Sequence, residues 1–290
     1  MLFANVAGET ARTMSEAEKV VLVTGATDGI GRETARALSR RGARVIVHGR
    51  NRARAAAVAE ELRAIRGDTA LEPLVLDLAR LDDVRQAGAE LDRRGQRVDV
   101  LINNAGVYMR ERATTVDGFE MTFAVNHLAS FTLSHALLRA EAGHGLARIV
   151  NVSSVAHTRG DIDLEDLSFA RRRFDPYATY AASKLANVLF TVELARRLRA
   201  SGRAVTVNAL HPGVVSTKLL TKGFGVQGRD SLDKGAATSV RLALDPDVGA
   251  ITGGYFSDGQ PQPMSSTAQD RDFVRRFYER SAEMAKVEPL

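Results

Sequence analysis

The chain has 290 residues, 44% of them hydrophobic and 26% charged, and a formal net charge of +5. This composition is typical of a globular chain with a substantial core and not of a disordered one. The absence of Cys excludes disulfides, thiolate metal sites and cysteine nucleophiles. No apolar run approaches the roughly 18–20 residues that span a bilayer, and residues 1–18 lack the apolar stretch of a signal peptide. We therefore expect a flexible tail at 1–18 and a soluble, cytoplasmic protein.

The basic charge balance has two interpretations. It is compatible with a polyanionic partner, or with a simple surplus of arginine on the surface. The arginines are scattered, and the chain has no Trp to stack on nucleic-acid bases. We favour the surface surplus and predict no nucleic-acid partner. We also predict no metal site, because no histidine and acidic residues share a spacing suited to metal ligation.

Short β-branched runs alternate with helical stretches from residue 19 onward. Strands are predicted at 20–24, 43–47, 74–76, 98–102, 148–152, 204–210 and 254–256. Helices are predicted at 30–41, about 52–66, 82–91, 117–140 and 178–200. Strands that alternate with helices indicate a parallel sheet with helices on both faces. Without a linker or a repeat in the sequence, we expect a single doubly wound α/β domain over 19–290.

The loop between the first strand and the first helix is rich in glycine, running Thr24-Gly25-Ala26-Thr27-Asp28-Gly29-Ile30-Gly31. Glycines allow a tight turn and a close backbone approach to a pyrophosphate, and the helix N-terminus adds a partial positive charge. The spacing differs from G-x-G-x-x-G, so a plain glycine-rich connection is the alternative. We predict that the cofactor contacts Gly25, Thr27, Asp28, Gly29, Ile30 and Gly31.

The end of the second strand indicates which cofactor binds. An acidic side chain there would hold the ribose 2′-OH of NAD, whereas an arginine accommodates the 2′-phosphate of NADP. The sequence reads Gly49-Arg50-Asn51, with no acid, so we predict NADP(H) bound by Arg50 and Asn51. The alternative is that Arg50 is a solvated loop residue. Two further strand ends are predicted to line the same crevice, through Asp77 and Leu78 and through Asn104, Ala105 and Gly106.

The most specific pattern is Tyr180-Ala181-Ala182-Ser183-Lys184 at the start of a long predicted helix. Residues four apart share a helix face, so the phenol and the ammonium act on one site. A free tyrosine has a pKa near 10, and a neighbouring cation is expected to lower it and so make proton exchange easier. We predict that Tyr180 is a general acid and base, and we disfavour His127, His157 and His211 in that role.

Taken together, these motifs resemble those of the short-chain dehydrogenase/reductase family over at least residues 19–260. The matching pieces, in family order, are the loop at 24–31, Asp77, the run at 103–106, Asn126, Ser154, Tyr180 with Lys184, and Pro212-Gly213 followed by Thr217. The resemblance implies a Rossmann fold, a catalytic tetrad of Asn126, Ser154, Tyr180 and Lys184, and cofactor contacts from Tyr180, Lys184, Pro212, Gly213, Val215 and Thr217.

Within the family the chain is most similar to the retinol-dehydrogenase-like branch, which includes the WW-domain oxidoreductase. The stretches that carry this similarity are 150–157, 183–190 and 255–258, and the branch shares the long gap between Ser154 and Tyr180. We expect neither a membrane anchor nor a WW domain. Many relatives pair subunits through long helices, so a dimer or tetramer built on 117–140 and 178–200 is an expectation.

The predicted activity is hydride transfer between NADP(H) and an alcohol or carbonyl carbon. Three loops are predicted to wall the substrate pocket: one with Val107, Tyr108 and Met109, the insertion at 155–179, and one with Leu219, Leu220, Phe224 and Val226. Apolar side chains around the Ser154 and Tyr180 hydroxyls suit a largely apolar substrate, and Tyr108 and Leu219 are predicted to contact it. The alternatives are that the apolar residues only pack their own loops, and that the chain is a non-catalytic NADP(H)-sensing protein on the same fold.

Overall fold

The computed structural model describes residues 19–140 and 145–290, so the predicted tail at 1–18 lies outside the described residues. The strands are β1 Val20–Val23, β2 Arg44–Gly49, β3 Leu74–Val75, β4 Val100–Asn103, β5 Arg148–Val152, β6 Thr206–His211, β7 Tyr255–Ser257 and β8 Gln260–Pro261. The helices are α1 Gly29–Arg40, α2 Arg52–Ile65, α3 Leu81–Arg85, α4 Ala87–Arg93, α5 Met121–Phe123, α6 Ala129–Arg139, α7 Pro176–Ala200, α8 Leu232–Leu244 and α9 Arg271–Ala285. No helix in the described ranges has the length and apolar character needed to cross a membrane.

The strands form one sheet in the order β3-β2-β1-β4-β5-β6-β7-β8. All neighbours pair in parallel except β7 and β8, which pair antiparallel. This confirms the predicted doubly wound sheet. The strand order reverses between β1 and β4, and in such sheets a crevice opens at that point outside the carboxyl ends of the strands.

Alternation of side chains along the strands divides the core between the two faces of the sheet. Val21 and Val23 of β1 point into a cluster with α1, α2 and α8, whereas Leu22 points into a cluster with α3, α4, α6, α7 and α9. The strands are buried on both faces, which is why they are continuous apolar runs in the sequence. This rigid sheet holds the loops at its carboxyl edge in place.

The helix predicted at 117–140 begins instead at Met121. Gly118 takes a φ of 84° in the preceding turn, and the Glu120 carboxylate accepts from the amides of Thr122 (2.9 Å) and Phe123 (2.7 Å), which caps the helix. After α5, residues Ala124–Leu128 widen into a π-helical turn before α6 continues. The helix predicted at 82–91 is divided at Gln86 into α3 and α4.

Helix α9 was not predicted, and it covers α6 and α7. Its buried face carries Val274, Phe277, Tyr278, Ser281 and Ala282. The Tyr278 hydroxyl lies 2.7 Å from His135 Nε2 of α6, and the Ser281 hydroxyl lies 3.0 Å from His127 Nε2 of the π-helical turn. One side of α6 and α7 is therefore covered by α9 of the same chain.

Candidate active site

A cavity of about 1000 Å³ opens at the carboxyl edge of the sheet and runs from the glycine loop to the loops after β5 and β6. Most of the residues predicted from the sequence line this one cavity. They are Gly25, Thr27, Asp28, Gly29, Ile30, Gly31, Arg50, Asp77, Leu78, Asn104, Ala105, Gly106, Ser154, Tyr180, Lys184, Pro212, Gly213, Val215, Thr217 and Leu219. Four predicted residues, Asn51, Tyr108, Asn126 and Val226, lie outside its lining, and Val226 is 50% exposed.

The glycine loop is packed too tightly for side chains at two positions. A Cβ added to Gly25, whose φ is 65°, would lie 2.9 Å from Ala105 Cα. One added to Gly31 would lie 2.5 Å from the Gly25 carbonyl oxygen. Behind the loop, the Thr24 hydroxyl accepts from the amides of Asn104 (2.9 Å) and Ala105 (3.0 Å). The loop and the Asn-Asn-Ala-Gly turn thus form one cradle of backbone at the helix N-terminus, which suits a pyrophosphate.

Arg50 lies at the end of β2, on the side of the cavity where the sequence analysis placed the adenosine of the cofactor. Arg50 is exposed, lines the cavity, and has no hydrogen-bond or ion-pair partner among the residues that the structure describes. No acidic residue stands beside it at the end of β2. Asn51 instead caps α2, since its side chain accepts from the Arg54 amide at 3.0 Å. The residues present therefore fit a phosphorylated adenosine, with Arg50 as its cation.

Asp28 already has partners in the chain. Its carboxylate caps α1, accepting from the Gly29 amide, and forms ion pairs with Arg54 (3.2 Å) and with Lys218 of the loop after β6. The hydrogen bond from Lys218, followed by the smaller contributions of Gly29 and Arg54, lowers the pKa of Asp28 against the opposing effect of burial. Asp28 thereby ties the glycine loop to the loop after β6 across the cavity.

Ser154 and Tyr180 are brought together at the inner end of the cavity. Burial raises the pKa of Tyr180 to about 12, and a hydrogen bond with the Ser154 hydroxyl opposes that shift. The sequence had led us to expect a pKa lowered by Lys184. That expectation is not met in this structure, because the phenol is 8% exposed and the Lys184 ammonium has another partner. Tyr180 therefore holds its proton at neutral pH.

The Lys184 ammonium is buried beside Tyr180. Its Nζ donates to the Val152 carbonyl at 2.9 Å and lies 5.6 Å from the centroid of the Tyr180 ring. Burial lowers the pKa of Lys184 to about 8. Its position one helical turn after Tyr180 on α7 directs both groups to the same side of the cavity.

Asn126 lies in the π-helical turn, fully buried behind the cavity wall. Its Nδ2 donates to the Val107 carbonyl (3.0 Å) and the Ser183 hydroxyl (3.0 Å), and its Oδ1 accepts from the Val107 amide (2.7 Å). A Cβ added to Gly106 would lie 3.4 Å from that Oδ1 and 3.6 Å from Lys184 Nζ. Both polar groups therefore face the same small space at Gly106. Single π-helical turns of this kind are frequent at functional sites.

The two neighbouring serines after β5 point in different directions. The Ser153 hydroxyl donates to the Lys184 carbonyl at 2.7 Å and is buried against α7. Ser154 is half-buried, lines the cavity and caps the 3₁₀ turn Val155–Arg159 through the Ala156 amide. His157 in that turn donates from Nδ1 to the Ser154 carbonyl at 2.7 Å, and its Nε2 accepts from the Ser265 amide at 3.3 Å.

Aromatic rings enclose the outer end of the site. The ring of Phe224 lies 4.1 Å from that of Tyr108 and 5.1 Å from that of Tyr180, measured between centroids. Leu219 packs with them. In the insertion, Asp166 pairs with Arg172 at 3.5 Å and accepts from backbone amides. Tyr108 therefore borders the site through its contacts with Tyr180 and Phe224.

The sequence analysis assigned no structural contact to three buried residues at the site: Thr24, His48 and His157. Each is a buried polar side chain that hydrogen-bonds to backbone at the end of a strand. The available signal was a polar residue directly after, or inside, an apolar strand. No charge or spacing pattern marks such residues, because their partners are main-chain groups of distant segments.

Comparison with known proteins agrees with this geometry. The family model described as short chain dehydrogenase matches residues 19–224. Human retinol dehydrogenase 13 is 39% identical over 285 residues, covering 93% of this chain and 85% of that protein. Mouse retinol dehydrogenase 14 is 41% identical over 291 residues, covering 93% and 86%.

Solved structures show the same architecture. An uncharacterised protein from Mycobacterium paratuberculosis superposes with a TM-score of 0.79 at 37% identity, over 95% of this chain and 97% of that one. A short chain dehydrogenase from Escherichia coli CFT073, complexed with NADPH, superposes with a TM-score of 0.66 at 26% identity, over 84% and 97%.

The chain belongs to the short-chain dehydrogenase/reductase family. Within that family it is of the retinol-dehydrogenase-like branch, as its sequence motifs predicted. It is therefore an oxidoreductase that acts on CH–OH or C=O groups with a nicotinamide cofactor. No cluster of three or more potential metal ligands occurs in the described part of the chain.

Proposed function

We propose that this chain interconverts an alcohol and a carbonyl on a largely apolar small molecule, using NADP(H), with Tyr180 as general acid and base. The observation that carries the proposal is that the side chains of Ser154 and Tyr180 both line the cavity beside the buried Lys184. When bound, the cofactor supplies or accepts the hydride.

In the reductive direction the protein's own groups act on the carbonyl oxygen of the substrate. The hydroxyls of Ser154 and Tyr180 donate hydrogen bonds to that oxygen and so polarise the carbonyl. As negative charge develops there, Tyr180 transfers its proton to it. A phenol whose pKa burial raises to about 12 retains that proton until the alkoxide forms.

Lys184 and Asn126 support this transfer. The ammonium of Lys184 stabilises the phenolate that Tyr180 becomes, and it is proposed to bind the nicotinamide ribose as well. Because Asn126 and Lys184 face the same space at Gly106, a water held there would connect Lys184 to solvent and return the proton. In the oxidative direction the same groups act in reverse.

Two lines of support favour NADP(H) over NAD(H). Arg50 is free to bind a 2′-phosphate, and the acid that NAD-binding relatives place at the end of β2 is missing. In addition, the Escherichia coli relative was solved with NADPH, and a Beutenbergia cavernae relative with 31% identity was solved with NADP. The retinol dehydrogenases and the aromatic end of the cavity support an apolar substrate.

The decisive experiment is turnover by the purified chain. NADPH oxidation is followed by absorbance with a panel of aliphatic and aromatic aldehydes and ketones, and with sugars as a polar comparison. We expect activity on the apolar carbonyl compounds. Tight NADPH binding without turnover of any compound would instead favour the cofactor-sensing alternative.

A further inference from the structure

His48, near the end of β2, joins three strand ends that line the adenosine side of the cavity. Its imidazole is 3% exposed. Its Nδ1 accepts from the Gly25 amide of the glycine loop at 3.1 Å, and its Nε2 lies 3.3 Å from the Leu76 carbonyl after β3. Its own carbonyl accepts from the Ala26 amide at 3.0 Å.

These partners fix the form of the imidazole. The Gly25 amide can only donate, so Nδ1 carries no proton. The Leu76 carbonyl can only accept, so Nε2 carries the proton. His48 is thus neutral, in one tautomer, and both ring nitrogens are used.

The three segments that His48 joins are those that form the adenosine side of the cofactor cradle. The glycine loop lies on one side, Asp77 and Leu78 follow Leu76 on the other, and Arg50 comes two residues after His48. The loop also presses on β2 itself, since a Cβ added to Gly49 would lie 2.4 Å from Thr27 Cγ2. The distance between the glycine loop and Arg50 therefore depends on the His48 contacts.

We propose that His48 is a positioning residue for the cofactor. Its Nδ1 accepts from the Gly25 amide and so fixes the distance between the glycine loop and Arg50. At that distance one cofactor molecule contacts both the glycine loop and Arg50. An apolar side chain of the same size would fill the space but leave the partly buried Gly25 amide and Leu76 carbonyl without this partner. The inference rests on the proposed cofactor site and extends it to a residue that contacts no reacting atom.

Two amide variants separate the roles of the two nitrogens. In His48→Asn the side-chain oxygen takes the place of Nδ1 and can accept from the Gly25 amide. In His48→Gln the amide takes the place of Nε2 and leaves the Gly25 amide unpaired. Isothermal titration gives the Kd of NADPH and of 2′,5′-ADP, which carries only the phosphorylated adenosine half, and thermal melting establishes that each variant is folded.

We expect His48→Gln to raise both Kd values about ten-fold, as the loss of one hydrogen bond to the partly buried Gly25 amide implies. His48→Asn is expected to stay within about three-fold of wild type. At saturating NADPH, kcat is expected to change less than two-fold in either variant, since neither touches the reacting groups (roughly 0.4 kcal/mol at most). The control is His135→Asn, at a buried histidine of α6 that also has a hydrogen-bond partner at each ring nitrogen but lies outside the cavity lining. It should lose thermal stability and keep the wild-type Kd.

Several results would overturn the inference. One is equal Kd values for the Asn and Gln variants. A second is a His48 variant in which only kcat falls. A third is a His48 variant with a lower melting temperature and both Kd values unchanged. The titrations use whichever of NADPH and NADH the wild type binds more tightly. Failure of the wild type to bind either cofactor would refute the proposed function itself, whereas normal wild-type binding with unaffected His48 variants would refute only the role of His48.

Discussion

At the scale of single residues, Tyr180 carries the proposed proton transfer. Tyr180→Phe removes one hydroxyl and keeps the ring that packs against Phe224. We expect kcat to fall at least 10²- to 10⁴-fold, the usual contribution of general acid–base catalysis. The Kd of NADPH, measured by titration, serves as the control and should stay near the wild-type value. Near-normal turnover in the variant would mean that another group provides the proton.

Arg50 is the residue proposed to select NADPH over NADH. We expect wild type to have a higher kcat/KM with NADPH than with NADH, and Arg50→Ala to lower the NADPH value roughly 10- to 100-fold, since a charge-assisted contact is worth about 1.5–3 kcal/mol. The value for NADH should change little. Arg52→Ala is the matched control, because Arg52 is exposed at the start of α2 and outside the cavity lining. Equal efficiency of wild type with both cofactors would contradict the assignment.

The two serines after β5 test which side chain faces the substrate. Ser154→Ala removes a hydroxyl on the cavity wall, and we expect kcat/KM to fall by about 10²-fold or more. Ser153→Ala removes a bond to the Lys184 carbonyl and should cost stability, about 1 kcal/mol, with a much smaller kinetic effect. Steady-state kinetics and urea unfolding of both variants check this ranking, and the reverse ranking would move the assignment to Ser153.

The sequence motifs indicated which residues line the cavity. They did not indicate the pKa of Tyr180 or the hydrogen-bond partner of Lys184. Glycine spacing, strand ends and the Tyr-Lys pair follow from local rules, so the lining residues were predictable. The raised pKa of Tyr180 was not, because it depends on burial by Phe224 and Tyr108 from two distant loops. The partner of Lys184 was equally hidden, since the Val152 carbonyl is a main-chain group on another strand.

At the scale of elements, the segment Leu219–Phe224 closes the apolar end of the site. If it contacts the substrate, kcat/KM should rise along a series of straight-chain aldehydes, by up to about four-fold per CH₂, which corresponds to roughly 0.8 kcal/mol. Phe224→Ala should flatten that trend, whereas Val226→Ala, at an exposed position beside it, should not. A flat or falling trend in wild type, with high activity on sugars, would refute an apolar substrate.

Element boundaries were predictable where side chains alone define them. Strand β5 matches its prediction at 148–152, because its apolar run is bounded by polar residues. Strand β4 begins at Val100, two residues later than predicted, and the carboxylate of the preceding Asp99 accepts from the Val20 amide at 2.7 Å. Helix α5 starts at a Glu cap, and Glu is not among the preferred capping residues. Helix α9 has apolar residues at helical spacing, so the signal for it was present in the sequence.

At the scale of the whole molecule, buried histidines make stability depend on pH. Burial lowers the pKa of His48 to about 4, of His127 to about 3 and of His135 to about 4, from an ordinary value of 6.5. The unfolded chain therefore binds more protons than the native chain at mildly acidic pH. The stability that depends on these neutral histidines is present above pH 6.5 and is lost as the pH falls toward 4.

We expect the urea midpoint of unfolding to decrease clearly between pH 7.5 and pH 5, with each histidine contributing up to about 3 kcal/mol by pH 4. His135→Gln should be less stable than wild type at pH 7.5 and should lose less stability on acidification. Burial raises the pKa of Asp99 and Glu120, and these carboxyls act in the opposite direction. A midpoint that stays constant from pH 7.5 to pH 5 would contradict the expectation.

The position of α9 near the end of the sequence affects how the chain folds during its synthesis. The aromatic side chains of Phe131 and Phe190, together with His127 and His135, are covered by a helix that is synthesised well after both α6 and α7. Until that helix emerges, the nascent chain exposes an apolar surface on an otherwise complete sheet, and such surfaces recruit chaperones or aggregate. Interrupting synthesis before residue 271 should therefore yield a protein with every cavity-lining residue present but little of it recovered in solution.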